Sequence, residues 1–362
     1  MKTNKIFSYF SLTLLAVSIL TSCDPKDTTV EVPTISTGAY VLNQGSYKAN
    51  NASMTYYNLT TSTSTQDVFT AANNRGLGDT GQDIIKYGSK LYIAVYKSSL
   101  VEVVDAKTSI SLKSIPMVTG TTPSSPRSLA AANGKVYVTL YDGHVAQIDT
   151  TTYAIEKTIA IGSNPEGCAI VNNKLYVANS GGMALKSDST ISVINLSTFT
   201  EELPRIKVVI NPVVLKADSY GDIYVISIGN YYNIPYTFQR INTSTKVVTA
   251  IPEVKAYNMA IDGDNAYIYY YNYDANYNII DKTYTIYDVK NEKILKSNFI
   301  ATDALANVPY SIDVNPATKD IYIGETDYTN TGKMYCFGSD GTLKFTFPTG
   351  SNPVKTIFIT NK

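Results

Sequence analysis

Few residues in this chain could carry out nucleophilic, acid–base or metal chemistry. The 362 residues include one histidine, His144, and three cysteines, Cys23, Cys168 and Cys336. Zinc sites built from His and Cys, and any site that needs two histidines, are therefore excluded. Cys168 and Cys336 each lie in an apolar stretch, so we interpret both as small core residues rather than nucleophiles, with a disulfide between them as the alternative.

Two polar segments could in principle bind a cation or a ligand. Asp262-Gly263-Asp264-Asn265 resembles part of a calcium loop, but it lacks the spacing and the terminal Glu of an EF-hand. It directly precedes an apolar stretch, so a hairpin turn is the better interpretation. His144 closes the segment Tyr141-Asp142-Gly143-His144, which we interpret as a turn with a solvated histidine. No catalytic residue and no metal ligand is predicted.

Charge and composition narrow the possibilities further. Lys and Arg number 30, as do Asp and Glu, so the formal net charge is zero, which argues against a polybasic nucleic-acid binder. Only 17% of residues are charged, and Tyr occurs 30 times against 10 Phe and no Trp. Polarity is therefore supplied mainly by Ser, Thr, Asn and Tyr.

The elements that must position these side chains are short strands in a repeat. An apolar-Tyr-apolar strand recurs about every 45 residues, and the strand after it usually ends in Asp or Asn. A third strand, rich in Thr, Lys and Val, comes next. A turn marked by Pro or Asn then leads into a strand of small apolar residues. Four strands per period predict an all-β, seven-bladed β-propeller over residues 38–362. The repeat tyrosines are Tyr40, Tyr92, Tyr137, Tyr176, Tyr224, Tyr267 and Tyr322.

The two ends of the chain predict how the ring closes. Gly350-Ser351-Asn352-Pro353 repeats Gly162-Ser163-Asn164-Pro165, the start of an inner strand, and the sequence stops where the next strand of the blade should begin. The first repeat opens with that missing strand. We therefore expect residues 353–359 to pair beside residues 39–42 as the innermost strand of the first blade, which leaves few free sheet edges.

One face of such a propeller is the predicted binding surface, because the loop before each innermost strand and the loop after each second strand meet there around the channel. Tyr and Asn dominate these loops, most densely in blades five to seven. Tyr offers broad apolar contact and a hydroxyl, which suits a large amphipathic ligand, whereas the repeat tyrosines are expected only to pack between blades. The predicted ligand-binding residues are Asn43, Gln44, Tyr96, Arg127, Tyr141, Asn179, Tyr231, Tyr257, Asn258, Tyr271, Tyr273, Tyr310 and Tyr328.

The N-terminal residues have the features of a lipoprotein signal. Lys2 and Lys5 precede an apolar run, residues 6–20, that is too short to span a bilayer comfortably. The following Leu20-Thr21-Ser22-Cys23 resembles a bacterial lipobox, with an ordinary signal peptide and an incidental cysteine as the alternative. We expect a signal peptide over residues 1–22, acylation of Cys23 as an anchor in the lipid bilayer, and a flexible acidic tether over residues 23–37.

These features together resemble a known family. The lipobox, the tether with Asp24 and Asp27, the Tyr-centred repeats and the Gly-Ser-Asn-Pro turns are similar to YncE-like propeller lipoproteins of gut Bacteroidota, and within these to the BtuG-type cobalamin-capturing proteins. The resemblance implies a protein on the exterior of the outer membrane that binds vitamin B12 and related corrinoids. It would then deliver them to a BtuB-type TonB-dependent transporter.

Under this resemblance, cobalamin is a bound ligand and not a catalytic cofactor. Tyr faces and Asn or Gln amides match the apolar faces and the amide rim of a corrin ring, and Arg127, Lys97 or Lys355 could meet the phosphate of its nucleotide loop. Two other functions stay open. Propellers of this shape include lactonases and hydrolases, although the single histidine argues against an enzyme, and the same Tyr/Asn face could capture a peptide or a glycan.

Overall fold

The structure, a computed structural model, describes residues 35–182, 187–274, 276 and 278–361. The predicted signal peptide, the predicted lipidation site Cys23 and most of the predicted tether lie outside these residues. Within them, strands predominate, and the one helix, α1 (Val68–Asn73), has six residues. None of the helical structure described is long and apolar enough to cross a membrane.

The strands are short, and most have six to eight residues. In chain order they are β1 Ser36–Asn43, β2 Ser53–Asn58, β3 Thr63–Thr65, β4 Gly81–Tyr87, β5 Lys90–Val95, β6 Leu100–Asp105, β7 Ser111–Pro116, β8 Val118–Thr119, β9 Thr122–Pro123, β10 Pro126–Ala132, β11 Lys135–Leu140, β12 His144–Asp149, β13 Ile155–Ala160, β14 Pro165–Val171, β15 Lys174–Asn179, β16 Thr190–Asn195, β17 Thr200–Lys207, β18 Pro212–Ala217, β19 Asp222–Ser227, β20 Thr237–Asn242, β21 Val248–Ala250, β22 Asn258–Asp262, β23 Asn265–Tyr273, β24 Ile279–Asp288, β25 Lys293–Ser297, β26 Val308–Val314, β27 Ile321–Thr326, β28 Lys333–Phe337, β29 Leu343–Pro348 and β30 Pro353–Thr360.

Seven antiparallel four-stranded sheets form the blades of a propeller, as predicted. From the channel outwards, blade 1 is β30-β1-β2-β3, blade 2 is β4-β5-β6-β7 and blade 3 is β10-β11-β12-β13. Blades 4 to 7 follow in groups of four, from β14-β15-β16-β17 to β26-β27-β28-β29. The hairpin β8-β9 is an additional two-stranded sheet between blades 2 and 3.

The C-terminal strand closes the ring in the predicted way. Strand β30 pairs antiparallel with β1, with Ala39 opposite Phe358 and Leu42 opposite Lys355. The pairing continues into the next turn, where the backbone N–H of Gln44 donates to the carbonyl of Asn352 at 2.8 Å. Because β1 begins at Ser36, the last two residues of the predicted tether, residues 36 and 37, belong to the first strand instead.

The seven repeat tyrosines form the layers between blades. Each lies on the second strand of its blade and is at most 4% exposed, which agrees with their interpretation as packing residues. Tyr224, for example, stacks on Phe238 at 5.5 Å between ring centroids, and its hydroxyl donates to the carbonyl of Val289 in the next blade at 3.1 Å. Aromatic rings of this size contribute much of the apolar area that a sheet-on-sheet core needs.

Two of these tyrosines differ in whether the hydroxyl has a hydrogen-bond partner, and this difference is testable. The buried Tyr92 hydroxyl has no hydrogen-bond partner among the described residues, whereas the Tyr224 hydroxyl has one. Tyr224→Phe should therefore lower the free energy of unfolding by about 1 kcal/mol, and Tyr92→Phe should leave it unchanged or raise it. Urea denaturation of the two matched variants measures this, and equal losses would contradict the assignment.

The Asp or Asn residue that ends the third strand of six blades fixes the turn that follows. Asp149 accepts hydrogen bonds from the backbone N–H groups of Thr151 and Thr152 at 2.9 and 2.7 Å, which is the Asx-turn geometry that favours these residues after a strand. Corresponding bonds occur at Asn58, Asp105, Asn195, Asn242 and Asp288. In blade 7 the third strand ends at Phe337, and Asp340 caps the turn instead.

Candidate functional site

A charged channel runs between the innermost strands of the ring. On the side of the predicted binding face it forms a cavity of about 260 Å³. Two ion pairs between neighbouring innermost strands line it: Arg127 lies 2.6 Å from Glu166, and Lys355 lies 2.6 Å from Asp83. Burial raises the pKa of the Glu166 carboxyl and lowers the pKa of the Lys216 amine, so this space disfavours uncompensated charge.

The mouth of the channel is bordered on one side by a hydrogen-bonded chain of polar side chains. The Tyr310 hydroxyl donates to the Gln44 side-chain oxygen, and the Gln44 amide donates to Gln82 Oε1 at 3.3 Å. Arg127 donates to the same Gln82 oxygen at 3.0 Å. This chain connects blades 7, 1, 2 and 3, so Gln44, Arg127 and Tyr310 lie on the same face, and Gln82 links them.

Arg127 is enclosed by two of the predicted aromatic residues. Its guanidinium carbon lies 5.1 Å from the centre of the Tyr96 ring and 5.2 Å from that of Tyr141, within the range of cation–π attraction. The charge of Arg127 is already compensated by Glu166, and that of Lys355 by Asp83. The expectation that either is free to meet a phosphate is therefore not supported, because an anion would have to displace an existing carboxylate.

Blades 5 to 7 place a group of tyrosines beside the channel mouth, which we call the tyrosine sector. The Tyr257 ring stacks on Tyr271 at 4.6 Å and on Tyr236 at 5.5 Å. Tyr271 in turn meets Tyr273 edge-on at 5.6 Å, and its hydroxyl lies 3.4 Å from that of Tyr328. The members of the sector are Tyr231, Tyr232, Tyr236, Tyr257, Tyr271, Tyr273, Tyr310 and Tyr328.

The sector has an outer layer that solvent reaches. Tyr231 is 64% exposed, Tyr232 92%, Tyr328 47% and Tyr273 37%. Burial raises the pKa of the Tyr328 phenol to about 12, so this hydroxyl stays a neutral donor and acceptor at physiological pH. Exposed aromatic rings grouped on one face are typical of interaction surfaces.

Tyr271 does not belong to that outer layer, and this corrects its predicted role. Strand β23 extends to Tyr273, so Tyr271 lies within a strand rather than in a loop. Only 4% of it is exposed, and it packs in the core between blades 6 and 7. It can therefore support the outer tyrosines, but its ring offers almost no surface to a ligand.

The predicted ligand-binding roles of Asn43 and Asn179 are also wrong, because both residues are completely buried. The Asn43 amide donates to Ser53 and Thr55 on the neighbouring strand, each at 3.1 Å, and Asn179 makes the equivalent pair of bonds in blade 4. A Cβ at Gly162 would lie 2.1 Å from the Asn179 side chain, so the Gly-Ser-Asn-Pro turn leaves room for this amide. These asparagines bond to the neighbouring strand and present no surface to a ligand.

The remaining sequence predictions have mixed outcomes. Asn258 lines the channel as expected, although its side-chain oxygen accepts from the backbone N–H of Met259 at 2.8 Å. Gly263-Asp264 forms the two-residue turn between β22 and β23, which confirms the hairpin interpretation of that segment. His144 is the first residue of β12 instead of a turn residue. Cys168 and Cys336 are free thiols, and Cys336 is fully buried.

Sequence reasoning missed Tyr236 and Tyr270, which lie at the edge of the sector and meet at 6.1 Å. Tyr236 follows the predicted loop by only a few residues, and the run of tyrosines around Tyr270 was the available signal. At neither residue does the sequence pattern distinguish an exposed ring from a ring packed between blades.

A search of the described residues finds no group of three His, Cys, Asp or Glu side chains that could hold a metal ion.

The fold and this face define a closed seven-bladed propeller with a tyrosine-rich surface around one mouth of its channel. Residues 37–348 match the model of a family described as a domain of unknown function, DUF5074, and the chain belongs to that family. No curated protein matches the sequence significantly.

Solved structures share the fold at low sequence identity. A candidate 6-phosphogluconolactonase from Bacteroides uniformis is 12% identical with a TM-score of 0.63, covering 89% of this chain and 99% of that one. Kuenenia stuttgartiensis hydrazine synthase is 18% identical with a TM-score of 0.59, covering 74% of this chain and 85% of that one. These similarities establish the propeller architecture and nothing more specific.

Proposed function

We propose that this protein binds a corrinoid, of the vitamin B12 class, on the tyrosine sector and does not act as an enzyme. The observation that carries the proposal is the outer layer of four exposed tyrosines, Tyr231, Tyr232, Tyr273 and Tyr328, beside the channel mouth. Large exposed rings grouped on one face of a folded protein typically mark a site of interaction.

The shape of the face favours a ligand that is wide and flat. The cavity at the mouth holds only about 260 Å³, and its lining includes two ion pairs, so a macrocycle would lie over the opening instead of entering it. Across the opening it would contact the tyrosine sector on one side and the Gln44 and Arg127 chain on the other. Rings stacked beneath the outer layer, such as Tyr257, keep this surface rigid before binding, which lowers the entropic cost.

The chemistry of the face matches both parts of a corrinoid. Phenol rings supply apolar contact for the faces of the macrocycle, and their hydroxyls can bond to its amide substituents. Gln44 and Gln82 present amide groups at the mouth, which are complementary to other amides. The proposal extends the resemblance noted from the sequence to an exterior lipoprotein that delivers its ligand to a BtuB-type TonB-dependent transporter.

The proposed location depends on Cys23. If its acyl chains are the anchor, Cys23→Ala should release the protein from membranes or leave an unprocessed precursor, because burial of each methylene contributes about 0.8 kcal/mol. Membrane fractionation, with metabolic labelling by a fatty acid, measures the outcome. A Cys23→Ala protein that stays acylated and membrane-bound would contradict the lipobox assignment.

Equilibrium binding tests the proposed function. Isothermal titration of residues 24–362 with cyanocobalamin should show one site per chain with a dissociation constant below micromolar. Soluble peptides and oligosaccharides, titrated in the same way, should give no heat of binding. Absence of cyanocobalamin binding at micromolar ligand would overturn the proposal, and binding of a glycan or a peptide instead would assign the face to that class.

A further inference from the structure

A separate aromatic cleft opens at the outer edge of the tyrosine sector, between blades 5 and 6. It has a volume of about 280 Å³. Its floor is apolar, made of the buried side chains Phe238, Ile251 and Val254. Tyr236 and Tyr270 line its sides, with their rings at 78° to each other and 6.1 Å apart. The cleft is thus a small, preformed pocket with aromatic and aliphatic lining.

A lysine lies at the edge of this pocket. Lys255 lines the cleft, and its ammonium nitrogen lies 5.6 Å from the centre of the Tyr270 ring. Its nearest carboxylate is Asp281, at 3.7 Å, and both side chains of this pair are more than half exposed. Exposed pairs of this kind contribute little, so the ammonium can exchange Asp281 for an anionic ligand group at small cost.

The cleft is continuous with the proposed binding surface. Tyr236 lines the cleft and stacks on Tyr257, which stacks on Tyr271 within the tyrosine sector. A ligand that covers the sector can therefore extend a substituent into the cleft without leaving the protein surface. By contrast, two cations of the channel, Arg127 and Lys355, are already paired with carboxylates, and burial lowers the pKa of a third, Lys216.

We infer that this cleft binds the nucleotide loop of the corrinoid, with its aromatic base in the cleft against Tyr236 and Tyr270 and its phosphodiester at Lys255. The inference rests on the proposed function and specifies the chemical class of ligand, a complete corrinoid that carries a base. An apolar, ring-lined pocket accepts a planar heteroaromatic base, and a neighbouring accessible ammonium complements the charge of a phosphodiester. No other part of a corrinoid combines an aromatic ring with an anion.

Comparison of two corrinoids tests the inference. Cyanocobalamin carries the base and phosphodiester with its ribose, whereas dicyanocobinamide lacks the whole nucleotide loop. Wild type should bind cyanocobalamin at least about tenfold more tightly than dicyanocobinamide. Tyr270→Ala and Lys255→Glu should each remove most of this preference, lowering affinity for cyanocobalamin about tenfold while leaving affinity for dicyanocobinamide unchanged. The unchanged cobinamide affinity also verifies that the variants are folded.

The chain provides a matched control for these substitutions. Lys290 lies 5.7 Å from the Tyr220 ring and 3.9 Å from Asp264, an arrangement similar to that of Lys255, Tyr270 and Asp281, but near the turn between β18 and β19 on the opposite face. Tyr220→Ala and Lys290→Glu should change neither affinity. Equal loss of both corrinoids in the Tyr270 and Lys255 variants, or loss of neither, would overturn the inference.

A second probe separates this inference from the proposed function. The isolated ribotide of 5,6-dimethylbenzimidazole, without any corrin, should shift NMR signals of Ile251 and Val254 at millimolar concentration in wild type and not in Tyr270→Ala. If neither corrinoid binds, the proposed function fails and the assignment of the cleft to a corrinoid fails with it, even where the ribotide shifts both signals. If corrinoids bind without preference and the ribotide shifts nothing, the cleft assignment fails and the proposed function stands.

Discussion

Deletion of residues 350–362 is expected to abolish cooperative folding. The deletion removes β30, the innermost strand of blade 1, and leaves one edge of β1 without a partner. It also removes the Lys355–Asp83 ion pair and the hydrogen bond from the Thr356 N–H to Asp313, which join β30 to blades 2 and 7. The exposed edge is long and apolar, so the truncated chain should also aggregate.

Thermal unfolding and sedimentation of the truncated chain measure this effect. Wild type should melt in one transition, whereas the truncated chain should show no cooperative transition and should remain in the insoluble fraction. A control chain that ends at Thr360 keeps every residue pair of β30 and should melt close to wild type. A soluble truncation that melts cooperatively would show that the ring does not depend on this closure.

Substitution of the outer tyrosines is expected to weaken corrinoid binding without weakening the fold. Tyr231→Ala and Tyr328→Ala each remove an exposed ring, so stability should change by less than about 0.5 kcal/mol. If these rings anchor the ligand, each substitution should cost about 1–2 kcal/mol of binding, or roughly a factor of ten, mainly through faster dissociation. Stopped-flow measurements with cyanocobalamin give the association and dissociation rates, and equilibrium titrations give the affinity.

Tyr271 serves as the contrasting variant. Because this ring is buried among Tyr257, Tyr269 and Tyr273, Tyr271→Ala should lower the free energy of unfolding by about 3–5 kcal/mol. Reduced binding by that variant alone would report a damaged fold. Unchanged cyanocobalamin affinity in both Tyr231→Ala and Tyr328→Ala would place the ligand elsewhere on the protein.

The sequence was sufficient to predict the architecture, because a propeller repeats the same local signals. The Tyr-centred strand and the Asp or Asn residue that ends the next strand each have a local physical cause, and their recurrence revealed the blade boundaries. Ring closure was predictable for the same reason, since Gly350 to Pro353 repeats Gly162 to Pro165. The start of the propeller was predicted at residue 38, two residues after β1 begins, because Ser36 and Thr37 carry no apolar pattern.

The site was only partly predictable, because burial of a polar side chain depends on neighbours distant in sequence. Asn43 and Asn179 occupy loop-like positions in the sequence, yet their amides are buried and donate to hydroxyls of the adjacent strand. Tyr271 was expected in a loop because nothing local shows that β23 continues to Tyr273. The pairing of Arg127 with Glu166 joins two blades and has no signature in either segment.

A structure of the complex with cyanocobalamin tests the central claim most directly. We expect the corrin ring to lie over the channel mouth, in contact with Tyr231, Tyr273 and Tyr328, while the Asp83–Lys355 pair inside the channel stays intact. A corrinoid bound inside the channel, or on the opposite face near Tyr220, would contradict the assignment of the tyrosine sector as the binding site.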